Sequence, residues 1–266
     1  MTTPGMPAAG IAFPDFAPGS VWLVGAGPGD PAHLTLLAVH ALGRADAVLH
    51  DALVDPRVLA LARPGALVEA LGKRGGRPSV PQHEITGRLI ALARQGLRVV
   101  RLKGGDPYVF GRGGEEALAL AAAGVPFRAV PGVTAGLAAM GAAGIPATSR
   151  DTNHAVILAT GHLAGLEPGS PGYRAHWAGL AATGQPILLY MAMRALPDIA
   201  EALIAGGLPG DTPVAVVAEA TLPGQRVLDT TLAEAAAAAA AAGLATPAIV
   251  GIGAIVTLRR HLAGSG

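Results

Sequence analysis

Cysteine is absent from the 266-residue sequence, which removes disulfides, thiolate zinc sites and cysteine nucleophiles at once. Charge is scarce. Asp, Glu, Lys and Arg make up 14% of the chain against 51% hydrophobic residues, so it reads as globular with a thinly charged surface. The formal net charge of +1 lacks the clustered basic surplus of a nucleic-acid binder. No apolar run reaches membrane-spanning length, because glycine, proline or a charge interrupts each one. The opening MTTPGMPAAGIAFPDFAPGS has neither a basic stretch nor an unbroken apolar core, so it does not read as a signal peptide. Its prolines, from Pro4 to Pro18, predict a flexible tail over residues 1–19. The eight histidines show no paired-ligand spacing, and no metal is expected. These absences leave a cytoplasmic protein with neither membrane nor nucleic acid as partner. The apolar excess predicts a homodimer, since one monomer would hide too little of it.

What is present is an alternation of apolar runs and glycine-rich loops. Short strands are expected at Val21–Val24, Ala47–His50, Leu67–Leu71, around Val99–Leu102 and at Phe127–Val130, with an amphipathic helix over Gln82–Gln95 and helices opening at Glu115 and Thr134. Strand–helix alternation at this spacing predicts an α/β fold with a mainly parallel sheet. GAAGIPATSRD, from Gly141, reads as the turn between halves, dividing the chain into domains at 20–140 and 141–266. In the second half the expected strands are AVILAT, Pro186–Tyr190, Thr212–Ala218, Gln225–Thr230 and Ala248–Ile252. A polar loop is expected up to Gly172 and a helix over Ala195–Ala205. Thr231 and Glu234 form a capping-box pattern before an alanine run closed by Gly243.

The densest chemistry lies in RVVRLKGGDPYVFGRGGEE, Arg98 to Glu116, where a buried strand runs into Gly104, Gly105, Gly111, Gly113 and Gly114. So many glycines are entropically unfavourable unless backbone must pass close to something, and ligands of open α/β sheets bind beyond the carboxyl ends of the strands. Pro28, Asp51, Lys73, Asp106 and Thr134 each follow a strand directly, which places them on one sheet edge. GAGPGD at Gly25–Asp30 resembles a dinucleotide turn. However, Pro28 sits at its centre and Asp30 would repel a pyrophosphate at a helix N-terminus. A nicotinamide-dependent oxidoreductase and a non-enzymatic ligand-binding module are the rival readings. By spacing alone, Asp51 serves equally as a helix cap or a general base, and Asp106 as an Asx-turn residue before Pro107.

The blocks LVGAGPGDP, HDALV, GKRGG, VVRLKGGDP, GRGGEE, VPGVTA, GIPATSRD, ATGH, LYM, PVAVV and QRV occur in that order and resemble the tetrapyrrole (corrin/porphyrin) methylase family. The resemblance implies two α/β domains with a ligand trough between them. It implies use of S-adenosyl-L-methionine, released as S-adenosyl-L-homocysteine, without a metal. The GRGGEE ending is similar to members that methylate uroporphyrinogen III twice, through precorrin-1 to precorrin-2, at the entry to sirohaem and cobalamin synthesis. The expected partner is therefore uroporphyrinogen III. The match is to the methylase part alone, not to fused forms with added dehydrogenase and chelatase domains.

By the same resemblance Pro28, Gly104, Gly105, Asp106, Val109, Thr134, Ala135, Met191, Ala220 and Ala248 would contact the cofactor. Asp51 would accept a proton and Lys73 donate one. Arg74, Lys103, Arg112 and Arg150 would meet substrate carboxylates, with Arg77 and Arg194 as further candidates. The chain departs from the family pattern at Ala192 and at Glu219-Ala220-Thr221, where glycines are usual after the tyrosine-methionine pair and inside the triplet. Each departure is expected to place an added methyl near the adenosine.

Overall fold

The first sheet collects five short strands: β1 (Val21–Gly25), β2 (Ala47–His50), β3 (Leu67–Ala70), β4 (Val99–Lys103) and β5 (Phe127–Val130). This is a computed structural model, and it describes residues 10–71 and 81–262. The strands order β3-β2-β4-β1-β5 and pair in parallel throughout. β1, β2 and β4 are buried along their whole length, as strands covered on both faces must be. Alternation along each strand sorts the side chains into two layers. Trp22, Val24, Val48, Val100 and Leu102 pack with α1 (Leu36–Arg44) and α2 (Pro56–Leu59). Val21, Leu23, Ala47, Leu49 and Val99 pack on the other face with α3 (Gln82–Arg94) and α4 (Gly113–Ala122). Thr35 caps α1, its hydroxyl accepting from the Ala38 N–H at 3.1 Å.

The chain then runs through α5 (Ala135–Ala142) into the second sheet: β6 (Ile157–Thr160), β7 (Ile187–Tyr190), β8 (Pro213–Ala218), β9 (Arg226–Thr231) and β10 (Ala248–Ile252). Their order is β6-β7-β10-β8-β9. Only β6 and β7 pair in parallel; β10 lies antiparallel to both neighbours, and β8 with β9 forms a hairpin. The parallel pattern expected from the first half therefore stops there, because the short β8–β9 connection cannot carry a crossover. α6 (Pro171–Ala181), α7 (Leu196–Ala205) and α8 (Ala235–Ala241) cover one face, and α9 (Arg259–Leu262) ends the described chain. α5 and Ile255–Val256 cover the other face.

Four expectations are corrected. Residues 10–19 are not a loose tail: Phe16 is buried and stacks on Trp22 at 4.4 Å, Phe13 stacks on His40 at 4.6 Å, and Arg98 Nε donates to the Phe16 carbonyl at 2.8 Å. The aromatic pair outweighs the prolines around it. The polar loop ends at Ser170, whose hydroxyl caps α6 at the Tyr173 N–H (3.2 Å), and Tyr173 and Trp177 anchor that helix in the core. Thr231 ends β9 instead of opening a capping box, and Glu234 occupies the cap position with no side-chain bond. The division at 140/141 falls inside α5, whose Ala139 and Met140 pack on the second sheet.

Candidate active site at the strand ends

In the first sheet, β1 leads on to β2 on one side of β4, and β4 leads on to β5 on the other side of β1. The carboxyl ends of β1 and β4 thus lie where the connections diverge, the place where a crevice opens in such sheets. Here the two loops are joined by backbone alone. Ala26 N–H donates to the Lys103 carbonyl at 2.7 Å, Gly105 N–H to Gly27 at 2.7 Å, and Gly27 N–H to Gly105 at 3.2 Å. A Cβ on Gly25 would lie 2.6 Å from Gly105 O and 2.6 Å from Gly132 Cα, so three strand ends meet with no room for any side chain. Asp106 ties the same knot. One carboxylate oxygen accepts from the Tyr108 N–H at 2.8 Å, forming the Asx turn, and the other from Gly132 at 3.1 Å. Gly104, by contrast, is exposed, and a Cβ there would meet nothing within 4 Å.

Beneath this edge lies a buried charge cluster. Arg101 and Lys103 alternate with Leu102 on β4 and so fall on the Val99 face, under α3 and α4. Both are buried, as is Glu116 of α4. Glu116 Oε1 accepts from Arg101 Nε at 3.0 Å, Lys103 Nζ at 3.2 Å and Gln82 Nε2 at 3.0 Å. Arg101 Nη2 also donates to Asp51 Oδ1, while Lys103 Nζ stands 3.9 Å from Asp51 Oδ2. The Asp51 side chain is 36% exposed, so the cluster runs from the interior to the surface at the strand ends. Burial, then the Arg101 guanidinium, pushes the Lys103 ammonium below the ordinary lysine range, against the pull of Asp51 and Glu116.

The second sheet approaches through Tyr190. Its hydroxyl lies 2.8 Å from Thr134 Oγ1 and accepts from the Gly136 N–H at 2.9 Å, fixing the start of α5 on the end of β7. Phe110 lies against its ring at 4.9 Å. Asp30 N–H donates to Thr221 Oγ1 at 3.2 Å, joining the first loop to the β8–β9 turn. The described non-glycine residues with left-handed backbone are Phe110, Arg112, Met191, Glu219 and Thr221. All stand on loops after β4, β7 or β8, and strain of this kind concentrates at functional sites.

The structure brings most of the expected residues to this edge. Val109, Ala135 and Ala220 pack on one apolar cluster with Tyr190. Thr134 touches Tyr190, and Met191 follows it, exposed. Pro28 lies in the loop bridged to Gly105. Ala248 stands apart, its side chain packing on the face covered by α6–α8. The Ala192 methyl is also buried there, against Gly161, so this departure fills the core and does not face the trough. Lys103 turns inward to Glu116 and Asp51. Arg112 is exposed and paired with Glu115 at 2.7 Å. Arg150 and Arg194 are exposed, and Lys73, Arg74 and Arg77 lie outside the described residues. Arg101 and the inward role of Glu116 were missed in sequence reasoning. A charge repeating every second residue inside an apolar strand was the available signal.

A doubly covered sheet with bare glycine loops at its strand ends, joined through Tyr190 and Thr221 to a second sheet, defines a two-unit α/β protein. Residues 20–236 match the family model described as Tetrapyrrole (Corrin/Porphyrin) Methylases, and the chain belongs to that family. It is 56% identical over 251 residues to a uroporphyrinogen-III C-methyltransferase of a Sinorhizobium species, covering 94% of this chain and 88% of the relative. It is 47% identical to a siroheme synthase of Gluconacetobacter diazotrophicus, covering 91% of this chain but 50% of that protein's length. Among solved structures it resembles the uroporphyrin-III C-methyltransferase of Thermus thermophilus complexed with S-adenosylhomocysteine. That match has a TM-score of 0.74 and 40% identity, and covers 90% of this chain and 99% of the other.

Proposed function

We propose that the protein is an S-adenosylmethionine-dependent C-methyltransferase that converts uroporphyrinogen III, through precorrin-1, to precorrin-2, feeding sirohaem and cobalamin synthesis. The observation that carries this reading is the Gly104-Gly105-Asp106 turn. It is locked to the end of β1 by backbone bonds, yet open at Gly104, beside an ion-paired and half-exposed Asp51. Such a turn fits a ligand that lies along bare backbone, and the names of the relatives agree with it.

When bound, the cofactor supplies an electrophilic methyl group. The chain's part is to hold both reactants in register, which can lower a barrier by roughly 7–11 kcal/mol. Pro28, the Gly104–Asp106 turn, Val109, Thr134, Ala135, Met191 and Ala220 form the walls for the cofactor, with Ala248 behind them. Both Asp106 oxygens already accept backbone N–H groups, so the carboxylate is held in place and each oxygen keeps a lone pair for a donor on the ligand. Methylation leaves a quaternary ring carbon and a cationic ring; Asp51 takes the proton that the macrocycle then loses from a neighbouring position, and Arg101 holds the carboxylate toward the crevice. Lys73 is the proton donor of this reading. Arg74, Arg112 and Arg150 are the substrate-carboxylate partners of this reading; Lys103, buried beneath Asp51, acts from below through that residue.

The same reading makes the protein a cytoplasmic homodimer, without metal, that binds neither nucleic acid nor membrane. The exposure of Leu53 (71%) and Leu118 (75%) supports an interface. Its domains join between β5 and α5.

Asp51→Asn tests the chemistry. Asparagine keeps the size of the group and removes its basic lone pair. The variant should bind adenosylmethionine with unchanged affinity by calorimetry, and it should form no dimethylated product from uroporphyrinogen III by mass spectrometry. Product at the wild-type rate would eliminate Asp51 as the base.

A further inference from the structure

Glu116 is the most buried charged side chain in the cluster, with no exposed surface, and Oε1 alone receives Arg101, Lys103 and Gln82. Its Oε2 is buried and has no partner among the described residues. A buried group of paired charges is often no more stabilising than a well-packed apolar set of the same volume, so its presence asks for a reason beyond stability. What Glu116 does have is position: both cations it engages also reach Asp51. We propose that Glu116 is a positioning residue for the reaction, drawing Arg101 and Lys103 inward so that the Asp51 carboxylate is oriented by them without losing its basicity. The inference rests on the reading of Asp51 as proton acceptor.

Charge balance gives the reason. Two cations face two carboxylates, one at the crevice and one fully interior. With Glu116 neutralised, both cations act on Asp51 alone. An opposite charge within a few ångströms lowers a carboxyl pKa by about 1–3 units, and a base so weakened transfers protons less effectively. The other groups around Asp51 do not substitute for Glu116. His50 Nδ1 contacts the Asp51 carbonyl, not its carboxylate. Asp55 and Arg57 pair with each other on α2, Arg112 and Glu115 at the start of α4, and Glu69 with Arg88 between β3 and α3.

Glu116→Gln preserves the shape of the side chain and removes its charge. Its acid limb in kcat/KM against pH should move down by about one pH unit. The plateau should fall severalfold, with adenosylmethionine affinity unchanged. Adding Lys103→Met restores one cation to one carboxylate, and the limb and plateau of the double variant should return toward those of the wild type. Equal melting temperatures among soluble variants would separate this effect from misfolding. An unmoved acid limb in Glu116→Gln, or a double variant no better than the single one, would overturn the proposal. Should Asp51→Asn retain turnover, the underlying reading fails instead, whatever Glu116→Gln does.

Discussion

Gly25→Ala adds one methyl at the point where β1, β4 and β5 end together. The new Cβ would stand 2.6 Å from Gly105 O, 2.6 Å from Gly132 Cα and 2.6 Å from Gly132 N. Ordinary van der Waals contact begins at 3.4 Å, so three backbone atoms on two loops must each retreat by most of an ångström. None can rotate aside as a side-chain tip could. Gly105 is held by its paired bonds to Gly27, and Gly132 by Asp106. Overpacking usually destabilises by about 1–3 kcal/mol, and here the upper end applies. For a chain of this size that is a fall in melting temperature of roughly 6–12 °C. Gly104→Ala is the control, since its Cβ would enter open space. It should melt within about 1 °C of the wild type and yet lose adenosylmethionine affinity by about tenfold, because the methyl occupies the face along which the ligand lies. Melts followed by circular dichroism, with calorimetry for the ligand, check both. Gly25→Ala melting with the wild type would show that the strand ends are slack. Unchanged affinity in Gly104→Ala would move the ligand off this turn.

Two further outcomes follow from the packing. Phe16→Ala should destabilise by about 3–5 kcal/mol in denaturant unfolding, because Phe16 is buried against Trp22; a near-neutral result would return residues 10–19 to a loose tail. Tyr190→Phe strands the buried Gly136 N–H and removes the Thr134 contact. It should lower unfolding free energy by about 1–3 kcal/mol, and an unchanged value would show that the hydroxyl does not hold the start of α5 to β7.

The strands of the first sheet were legible almost to the residue, because each is a short segment rich in apolar residues set between turn signals or charges, as Ala47–His50 is between two aspartates and Phe127–Val130 between two prolines. The loops after them were equally plain, since Gly104, Gly105 and Gly132 have no other reason to gather. Pairing direction in the second sheet was not legible, as β10 inserts between two strands written far earlier in the chain. Nor was the burial of Arg101 and Glu116. GRGGEE presents Glu115 and Glu116 as equals, and only the helical turn sends one to solvent and the other onto β4. The arm at Phe13 and Phe16 was hidden by its prolines, whose effect on the unfolded chain says nothing about what a nearby aromatic can pack on.

The strand order carries a consequence for synthesis. β1 is the first strand of its sheet to be made, but its neighbours there are β4 and β5, and it pairs with neither β2 nor β3. On a ribosome adding about 5–20 residues per second, β1 waits on the order of ten seconds for Val99–Lys103 to be made. Throughout that interval both edges of Val21–Gly25 lie open to other nascent chains; the central strand then covers one of them, and the other stays open until Phe127–Val130 is made.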